Sequence, residues 1–483
     1  APDEKLYGLG LQFQGMNRRG KVYHLRMDHY SSGNDRLHAP VPFYVSSAGY
    51  GVLFNSPHYI ALYAGVGNRH DSPNFPAPRD RNTDSQWDAQ PISDAVEASV
   101  VSEGMEVLVF AGPTPLDAIR RYNLYCGGGC LPPKWGLGFW HRMRTHASAQ
   151  EVLKEVDDFK KHDFPLDVIG LEPGWHSKSY PCTYEWNPDL FQQPTDFVNT
   201  MTAKGIAVNL WENPYVSPDA GIYEAIKPFC GSHTVWLGIV PDFTLPEARE
   251  IYRKQHAGTH VALGVSGYKV DEVDGYDFWL WPDHAVFPSG TSAEVMRQTY
   301  GIQMQKMIME IFRAQNRRTY SQVRASNAGA SSYPFAIYTD HYNHRGFVSA
   351  LVNCGFSGVL YTPEIRSANT PEEWVRRMQT VCFSPLVQLN GWADNTKPWT
   401  FNEVEGEVRE TIKLRQRFLP YMYTAFAQYH FQGTPPIRAM VLEEGYEAKE
   451  LFEEGKLDGT DNPYAMAVRK DVADQYMFGD CLL

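Results

Sequence analysis

Four acidic residues, Asp271, Glu272, Asp274 and Asp277, fall within seven positions directly after an apolar run that opens at Gly264. That run, Gly264-Val-Ser-Gly-Tyr-Lys-Val, has the small and β-branched residues of a buried strand. Charge placed there is either a solvated loop or a strand end that opens onto a site. The other predicted strand ends argue for a site. In chain order they carry Trp140, His141, Arg142 and Arg144; Glu172, Trp175 and His176; Trp211 and Glu212; Lys269 with the acidic burst; Arg324, Ser326 and Asn327; Asp340, His341 and Tyr342; Glu364 and Arg366; and Gln388, Asn390 and Trp392. Acids, arginines and tryptophans gather on one rim. Two carboxylates flanking a ring, with indoles against a sugar face, suit hydrolysis of a glycosidic bond. One carboxylate must act as the anion. The other must hold a proton near neutral pH, so its surroundings must raise its pKa.

Blander readings stand beside these. Trp140, Trp175 and Trp211 fit a barrel core as well as a sugar face. Lys269 fits as a salt-bridge partner of Asp271 or Glu172, a role that would itself tune the site. Glu272 and Asp274 read as supporting or solvated residues, and Trp279 and Trp281 either line a subsite or pack. His341-x-x-His344 is the one metal-like pair, and it lacks the i, i+4 spacing of two ligands on a helix face.

The strand ends need a scaffold that brings them together. From residue 131 the pattern alternates strand and helix. Strands are predicted at 137–140, 166–171, 206–211, 264–270, 319–323, 335–338, 358–361 and 384–388. Between them lie helical patterns such as Ala149 to Lys161, with Val152, Val156 and Phe159 on one face, and Val295 to Ala314. About eight strands alternating with helices over roughly 300 residues is the signature of a (β/α)8 barrel in the α/β class. A doubly wound sheet would require a Gly-rich phosphate turn after an early strand, and Gly127-Gly-Gly lacks that strand. Residues 1–130 read as short strands with frequent turn signals, a β-sandwich, with a long loop at 67–95. Leu131-Pro-Pro marks the boundary. The barrel spans 131–432, and 433–483 reads as the start of a further β domain whose chain would continue.

Bulk properties narrow the function. The chain has 483 residues and a net charge of −12, which argues against nucleic acid or an anionic membrane as main partner. No apolar run is long enough to cross a membrane. The 12 Trp and 28 Tyr are a rich supply of rings for a carbohydrate cleft or for the core. The seven cysteines are scattered without zinc-ligand spacing and read as buried free thiols, although Cys126 and Cys130 could close a small loop. The first residues do not read as a signal peptide, and no N-glycosylation sequon occurs. Neither absence excludes secretion, and a secreted or periplasmic setting is favoured. Oligomeric state is not legible.

Several long motifs, in order, resemble glycoside hydrolase family 31. Leu6-Tyr-Gly-Leu-Gly, Arg18-Arg-Gly-Lys and Val41-Pro-Phe-Tyr-Val-Ser-Ser resemble its N-terminal β domain. Pro132-Pro-Lys-Trp-Gly-Leu-Gly-Phe-Trp and Pro165-Leu-Asp-Val-Ile-Gly-Leu-Glu resemble its first two barrel strands, and Leu414-Arg-Gln-Arg-Phe-Leu-Pro-Tyr-Met-Tyr the helix that leaves the barrel. Gly264-Val-Ser-Gly-Tyr-Lys-Val-Asp is similar to the family's nucleophile motif, which implies that Asp271 is the nucleophile. Arg324-Ala-Ser-Asn-Ala-Gly, then Tyr333-Pro, then Asp340, is similar to the acid/base motif, which implies that Asp340 is the acid/base. The resemblance further implies a retaining mechanism, exo action on a terminal α-linked sugar of an oligosaccharide or glycoside, and no cofactor or metal. The residues expected against substrate are Trp140, Glu172, Trp175, Trp211, Lys269, Arg324, Glu364 and Asn390.

Departures from the family pattern bear on the sugar. Its α-glucosidases usually have Asp where this chain has Glu172, a Trp-x-Asp-Met-Asn-Glu-like segment where it has Lys269-Val-Asp-Glu-Val-Asp, an Arg-x-His pair where it has Gln388-Leu-Asn, and Trp where it has Ile337. Lys-x-Asp occurs in the family's α-xylosidases and α-galactosidases. The sequence-based expectation is an α-galactosidase. The alternatives are α-glucosidase, α-xylosidase, α-N-acetylgalactosaminidase, an α-glucan lyase or an inactive sugar-binding relative. A retaining pair requires the carboxyls of Asp271 and Asp340 to lie about 5–5.5 Å apart, or somewhat more without ligand.

Overall fold

A computed structural model of the chain describes residues 4–28, 36–67, 70–71, 77–85, 87, 93–275, 281–443 and 475–482. Strand Phe139–Arg142 is flanked by Val168–Leu171 and Val387–Asn390. Beyond Val168–Leu171 the sheet continues through Ala207–Glu212, Gly267–Val270, Ser321–Val323 and Phe335–Ile337, and beyond Val387–Asn390 lies Glu364–Ile365. All eight are parallel, as strands joined by crossover helices must be. The curl closes between the sixth and seventh strands, where the Ile337 N–H donates to Leu360 O at 2.7 Å and the Thr362 N–H donates to Ile337 O at 2.8 Å. The expected (β/α)8 barrel is the fold.

The seventh strand differs from expectation. Residues 358–361 are apolar enough for a strand, but Gly358 turns the chain at φ +66° after helix Arg345–Phe356. Pro363 then lacks an N–H for the ladder. Tyr361 therefore makes one isolated bridge to Ile337, and the ladder begins at Glu364.

Side-chain parity along each strand decides what enters the barrel. On the first strand His141 points outward to Glu155 of helix Ala149–Lys161, while Arg142 points inward to Glu172 and Asn209. On the third, Glu212 points outward, accepting from Tyr252 (2.9 Å) and paired with His256 (2.8 Å) of helix Pro246–Thr259, while Trp211 points inward. The outer helices dock by apolar stripes, as in Ala149–Lys161, where Val152, Val156 and Phe159 are buried and Ser148 with Glu151 forms a capping box.

Two four-stranded sheets precede the barrel. One has the order Leu6–Gly8, Phe43–Ser46, Tyr50–Asn55, Glu106–Ala111; the other Arg36–Leu37, Lys21–Met27, Ile60–Ala64, Val96–Val100. Leu6, Tyr23, Leu25, Val52, Phe54 and Leu62 share a core drawn from both, the expected sandwich. At the C-terminal end Ile437–Ala439 pairs antiparallel with Tyr476–Phe478. Most of the acidic insert between them lies outside the described residues, as does much of the loop expected at 67–95. All seven cysteines are free thiols. Among the described residues no helix is long and apolar enough to cross a membrane.

Arg415, in the long helix Glu405–Gln432, is fully buried at the opposite end of the barrel from the acidic rim. Its Nε donates to Leu137 O at 2.8 Å, and its Nη1 to Cys382 O at 2.7 Å and Ser384 O at 2.9 Å. It thereby ties the last helix to the segments leading into the first and eighth strands. Replacing it with leucine leaves those carbonyls buried without a donor, at about 1–3 kcal/mol each. Arg415→Leu is expected to lower the thermal midpoint by several degrees, read by circular dichroism; an unchanged midpoint would count against this strap.

Candidate active site

Arg324, one inward step beyond the fifth strand, organises the rim. Its Nη1 donates to Asp271 Oδ1 at 2.8 Å and to Asp340 Oδ2 at 2.9 Å, and its Nε to Asp274 Oδ2 at 3.2 Å. Two carboxylates on one nitrogen cannot have those oxygens further apart than the sum of 2.8 and 2.9 Å. That limit on the facing oxygens is compatible with the about 5–5.5 Å of a retaining pair. Asp271 is nearly buried; its Oδ2 accepts from Trp211 Nε1 at 2.8 Å, and its Oδ1 also accepts from the Glu272 N–H. Burial alone would raise its pKa, but the charges of Arg324 and Lys269, together with hydrogen bonds from Tyr338 and Trp211, hold the carboxyl below its ordinary value. Asp340 is more open. It takes φ +53°, a left-handed backbone that aspartate tolerates better than most residues. Tyr342 donates to its Oδ1 at 3.3 Å.

Two buried polar clusters flank this pair. On one side Glu172 accepts from Arg142 Nε and lies 3.7 Å from Lys269 Nζ. Arg142 also donates to Asn209 at 2.8 Å. It fits because Gly170 beside it has no side chain; a Cβ there would meet the guanidinium at 2.6 Å. Lys269 Nζ also sits 4.6 Å from the centre of the Tyr338 ring, a cation–π contact. On the other side Glu364 accepts from Gln388 Nε2 and Asn390 Nδ2, each at 2.9 Å, and from the Asp340 N–H at 3.1 Å. Burial, with the Asp340 charge second, pushes Glu364 up to about 7.

The structure thus brings together Asp271, Asp340, Arg324, Glu172, Trp211, Lys269, Glu364 and Asn390. It does not bring Trp140 or Trp175 to them. Trp140 is fully buried; its Nε1 donates to Gly136 O at 2.9 Å, and its ring packs on Trp135 and Tyr320, one inward step below Arg142. Trp175 donates to Trp211 O at 2.7 Å and packs against His176, Trp186 and His260 in the helix layer. Both are core, so the substrate contact expected of them is corrected. Trp281 also packs, on Phe287 and Tyr300; Trp279 and Asp277 lie outside the described residues. His341 rests on Phe13 and His344 bonds Thr380, so the pair serves different neighbours. Among the described residues no group of three or more His, Cys, Asp or Glu could hold a metal ion.

Three features escaped the sequence reading. Glu272 is not solvated. It is buried at φ +56°, its side chain accepts from Trp236 Nε1, and its carbonyl accepts from the Tyr215 hydroxyl at 2.6 Å. Burial, with the neighbouring Asp271 charge, pushes it up to about 8. Tyr180 and Trp236 are about 40% exposed, Tyr180 41% and Trp236 39%. They form an aromatic corner with Trp211, at ring separations of 5.1 and 5.5 Å from Tyr180. Trp236 sits at the tip of a hairpin with no regular barrel pattern, so only the Trp236-Leu237 turn marked it. The third is His38 of the N-terminal sheet, whose Nδ1 lies 2.8 Å from Asp274 Oδ2.

A family model for the glycosyl hydrolases family 31 TIM-barrel domain matches residues 129–425. A model of that family's N-terminal galactose mutarotase-like domain matches residues 1–61. The α-xylosidase XylQ of Lactiplantibacillus pentosus is 25% identical over 100% of this chain and 60% of its own length. An α-glucosidase 2 of Bacillus thermoamyloliquefaciens is 29% identical over 75% of this chain and 50% of its own. The chain therefore spans about half of such relatives. Among solved structures, a dextranase of Flavobacterium johnsoniae complexed with glucose superposes at TM-score 0.79 with 21% identity, covering 99% of this chain and 58% of that one. An α-xylosidase from a soil metagenome complexed with xylose superposes at 0.76 with 19% identity, covering 99% and 70%. At those identities the likeness speaks for the fold.

The raised carboxyls set a pH dependence of stability. Unfolded, Glu272 and Glu364 titrate near 4.5; folded, near 8 and 7. Between those values the native state holds more protons than the unfolded one, so stability falls as pH rises. The lowered Asp271 contributes stability that is lost only as pH falls below the ordinary aspartate range, outside this window. Burial holds His141, His176 and His260 below the ordinary histidine value, and their contribution rises with pH up to about 6.5; from there to about pH 8 the thermal midpoint is expected to decline, and Glu272→Gln or Glu364→Gln each to flatten the decline. Parallel slopes in wild type and both variants would contradict this.

Proposed function

The chain belongs to glycosyl hydrolase family 31, and from that premise we propose that it is a retaining, exo-acting α-glycosidase. The observation that carries the reading is the sharing of Arg324 Nη1 by Asp271 and Asp340. Asp271, kept anionic by Arg324 and Lys269, attacks the anomeric carbon of a terminal α-linked sugar. Asp340 gives its proton to the departing glycosidic oxygen, and the sugar is left covalently bound to Asp271. Asp340 then takes a proton from water, the water oxygen attacks the anomeric carbon, and the Asp271 ester bond breaks. Two inversions return the α configuration. Trp211 Nε1 steadies Asp271 throughout, and the charge of Arg324 follows whichever carboxylate is anionic.

The sugar sits at Asp271 and Asp340 and is read by Lys269, Glu172 and the Glu364–Asn390 pair. The aromatic corner of Tyr180 and Trp236 takes the ring next along. Lys269, with Glu172, Ile337 and Asn390, separates this pocket from the family's glucosidase pattern. Relatives named α-xylosidase match most or all of the chain, so an α-xyloside is the first substrate reading. The α-galactoside expected from the sequence is the second. It rests on Glu172 and Asn390 standing where the family's glucosidases grip the far hydroxyls of glucose, and the named relatives lend it no support. Residues 1–130 and 131–432 serve as sandwich and catalytic barrel.

A panel of nitrophenyl α-glycosides (xyloside, glucoside, galactoside, fucoside and N-acetylgalactosaminide) tests the reading. The free α-sugar is the expected first product by NMR, whereas a lyase would release an anhydro sugar. Asp271→Ala is expected to abolish turnover; a variant that still turns over would sink the proposal. Asp340→Ala is expected to lose about 10²–10⁴-fold on poor leaving groups and to yield an α-glycosyl azide when azide is added.

A further inference from the structure

Asp274 and His38 are both enclosed, and the mechanism above uses neither. His38 follows strand Arg36–Leu37 of the N-terminal sandwich. Its Nδ1 lies 2.8 Å from Asp274 Oδ2 and 3.0 Å from Arg324 O. Both partners are acceptors, so Nδ1 carries the hydrogen. The Ser326 N–H donates to His38 O at 2.9 Å, which pins the same loop to the chain just past the fifth strand. Asp274 in turn receives Arg324 Nε at 3.2 Å. A guanidinium is a rigid plane, so an acceptor fixed at Nε sets where Nη1 points. Here Nη1 points between Asp271 and Asp340.

We infer that His38 is a positioning residue for the two carboxylates, contributed by the N-terminal sandwich and acting through Asp274 on the orientation of Arg324. His38 bonds neither carboxylate and moves no proton in the reaction. It holds Asp274 with one oxygen toward Arg324 and so keeps the guanidinium where both carboxylates share it. The inference rests on the proposed function, since it assigns His38 a part in that chemistry.

A mere staple between sandwich and barrel would predict a different outcome, and substitution at His38 separates the two. His38→Leu removes the N–H donor. His38→Asn keeps one near the position of Nδ1. With the nitrophenyl glycoside that the wild type turns over best, His38→Leu is expected to lower kcat about 10- to 100-fold with little change in KM. The acidic limb of kcat/KM should move to higher pH, because a loosened Arg324 lowers the Asp271 pKa less. The other groups facing Asp271, namely Lys269, Glu272, Tyr338, Tyr180 and Asp340, are unchanged by the substitution, as is His341 beside His38. His38→Asn should restore both kcat and the limb. Asp274→Asn, which keeps shape, should reproduce the limb shift if His38→Leu fails to fold. Wild-type kcat and an unmoved limb in His38→Leu, or an unmoved limb in Asp274→Asn, would overturn the inference. Absence of turnover by the wild type across the whole panel would instead overturn the proposed function.

Discussion

Two carboxylates held this close in a partly dry site repel each other, and the guanidinium of Arg324 is what lets them coexist. At an effective dielectric of about 20, two unit charges about 4 Å apart interact by about 4 kcal/mol. The cation between them turns that repulsion into attraction on both sides. It also breaks the symmetry between them. Asp271 is enclosed and receives an indole N–H, a peptide N–H and the field of Lys269 as well, whereas Asp340 is half open and bonds one hydroxyl besides Arg324. Two like side chains thus occupy different electrostatic settings, the condition for opposite roles in one reaction.

The surrounding acids do not all stay charged. Glu172 has Arg142 and Lys269 for neighbours. Among the described residues Glu272 and Glu364 have no salt-bridge cation, and burial leads them to hold their protons more tightly. The rim is therefore less negative near neutral pH than its count of carboxylates suggests. A polyhydroxylated ligand meets a mixture of donors and acceptors there, which suits hydroxyl groups able to act as either.

Much of this was legible in the sequence. The alternation of strands and helices fixed the barrel, and in-register motifs placed Asp271, Arg324 and Asp340. What the linear reading could not do was sort strand-end residues by depth and side. Parity would have removed His141 and Glu212, because each alternates with an inward neighbour that bonds within the barrel. Trp140 has the right parity and the wrong depth, and nothing local distinguishes one inward step from the next. The seventh strand was misplaced because Gly358 and Pro363 bracket an apolar segment whose backbone cannot make the ladder. His38 and Trp236 reach the site from a separate sandwich and from a hairpin tip, and such long-range meetings leave no periodic trace.

The closure of the barrel has a mechanical side. The strand leading to Asp271 is laddered to both neighbours, with four register pairs on one side and two on the other. The strand leading to Asp340 is laddered on one side, and on the other it meets the chain at the Ile337–Tyr361 bridge. The seam therefore runs beside Asp340 and Glu364. Asp271 is thus carried on a strand tied along both edges, and Asp340 on one tied along a single edge and pinned at the other by one bridge.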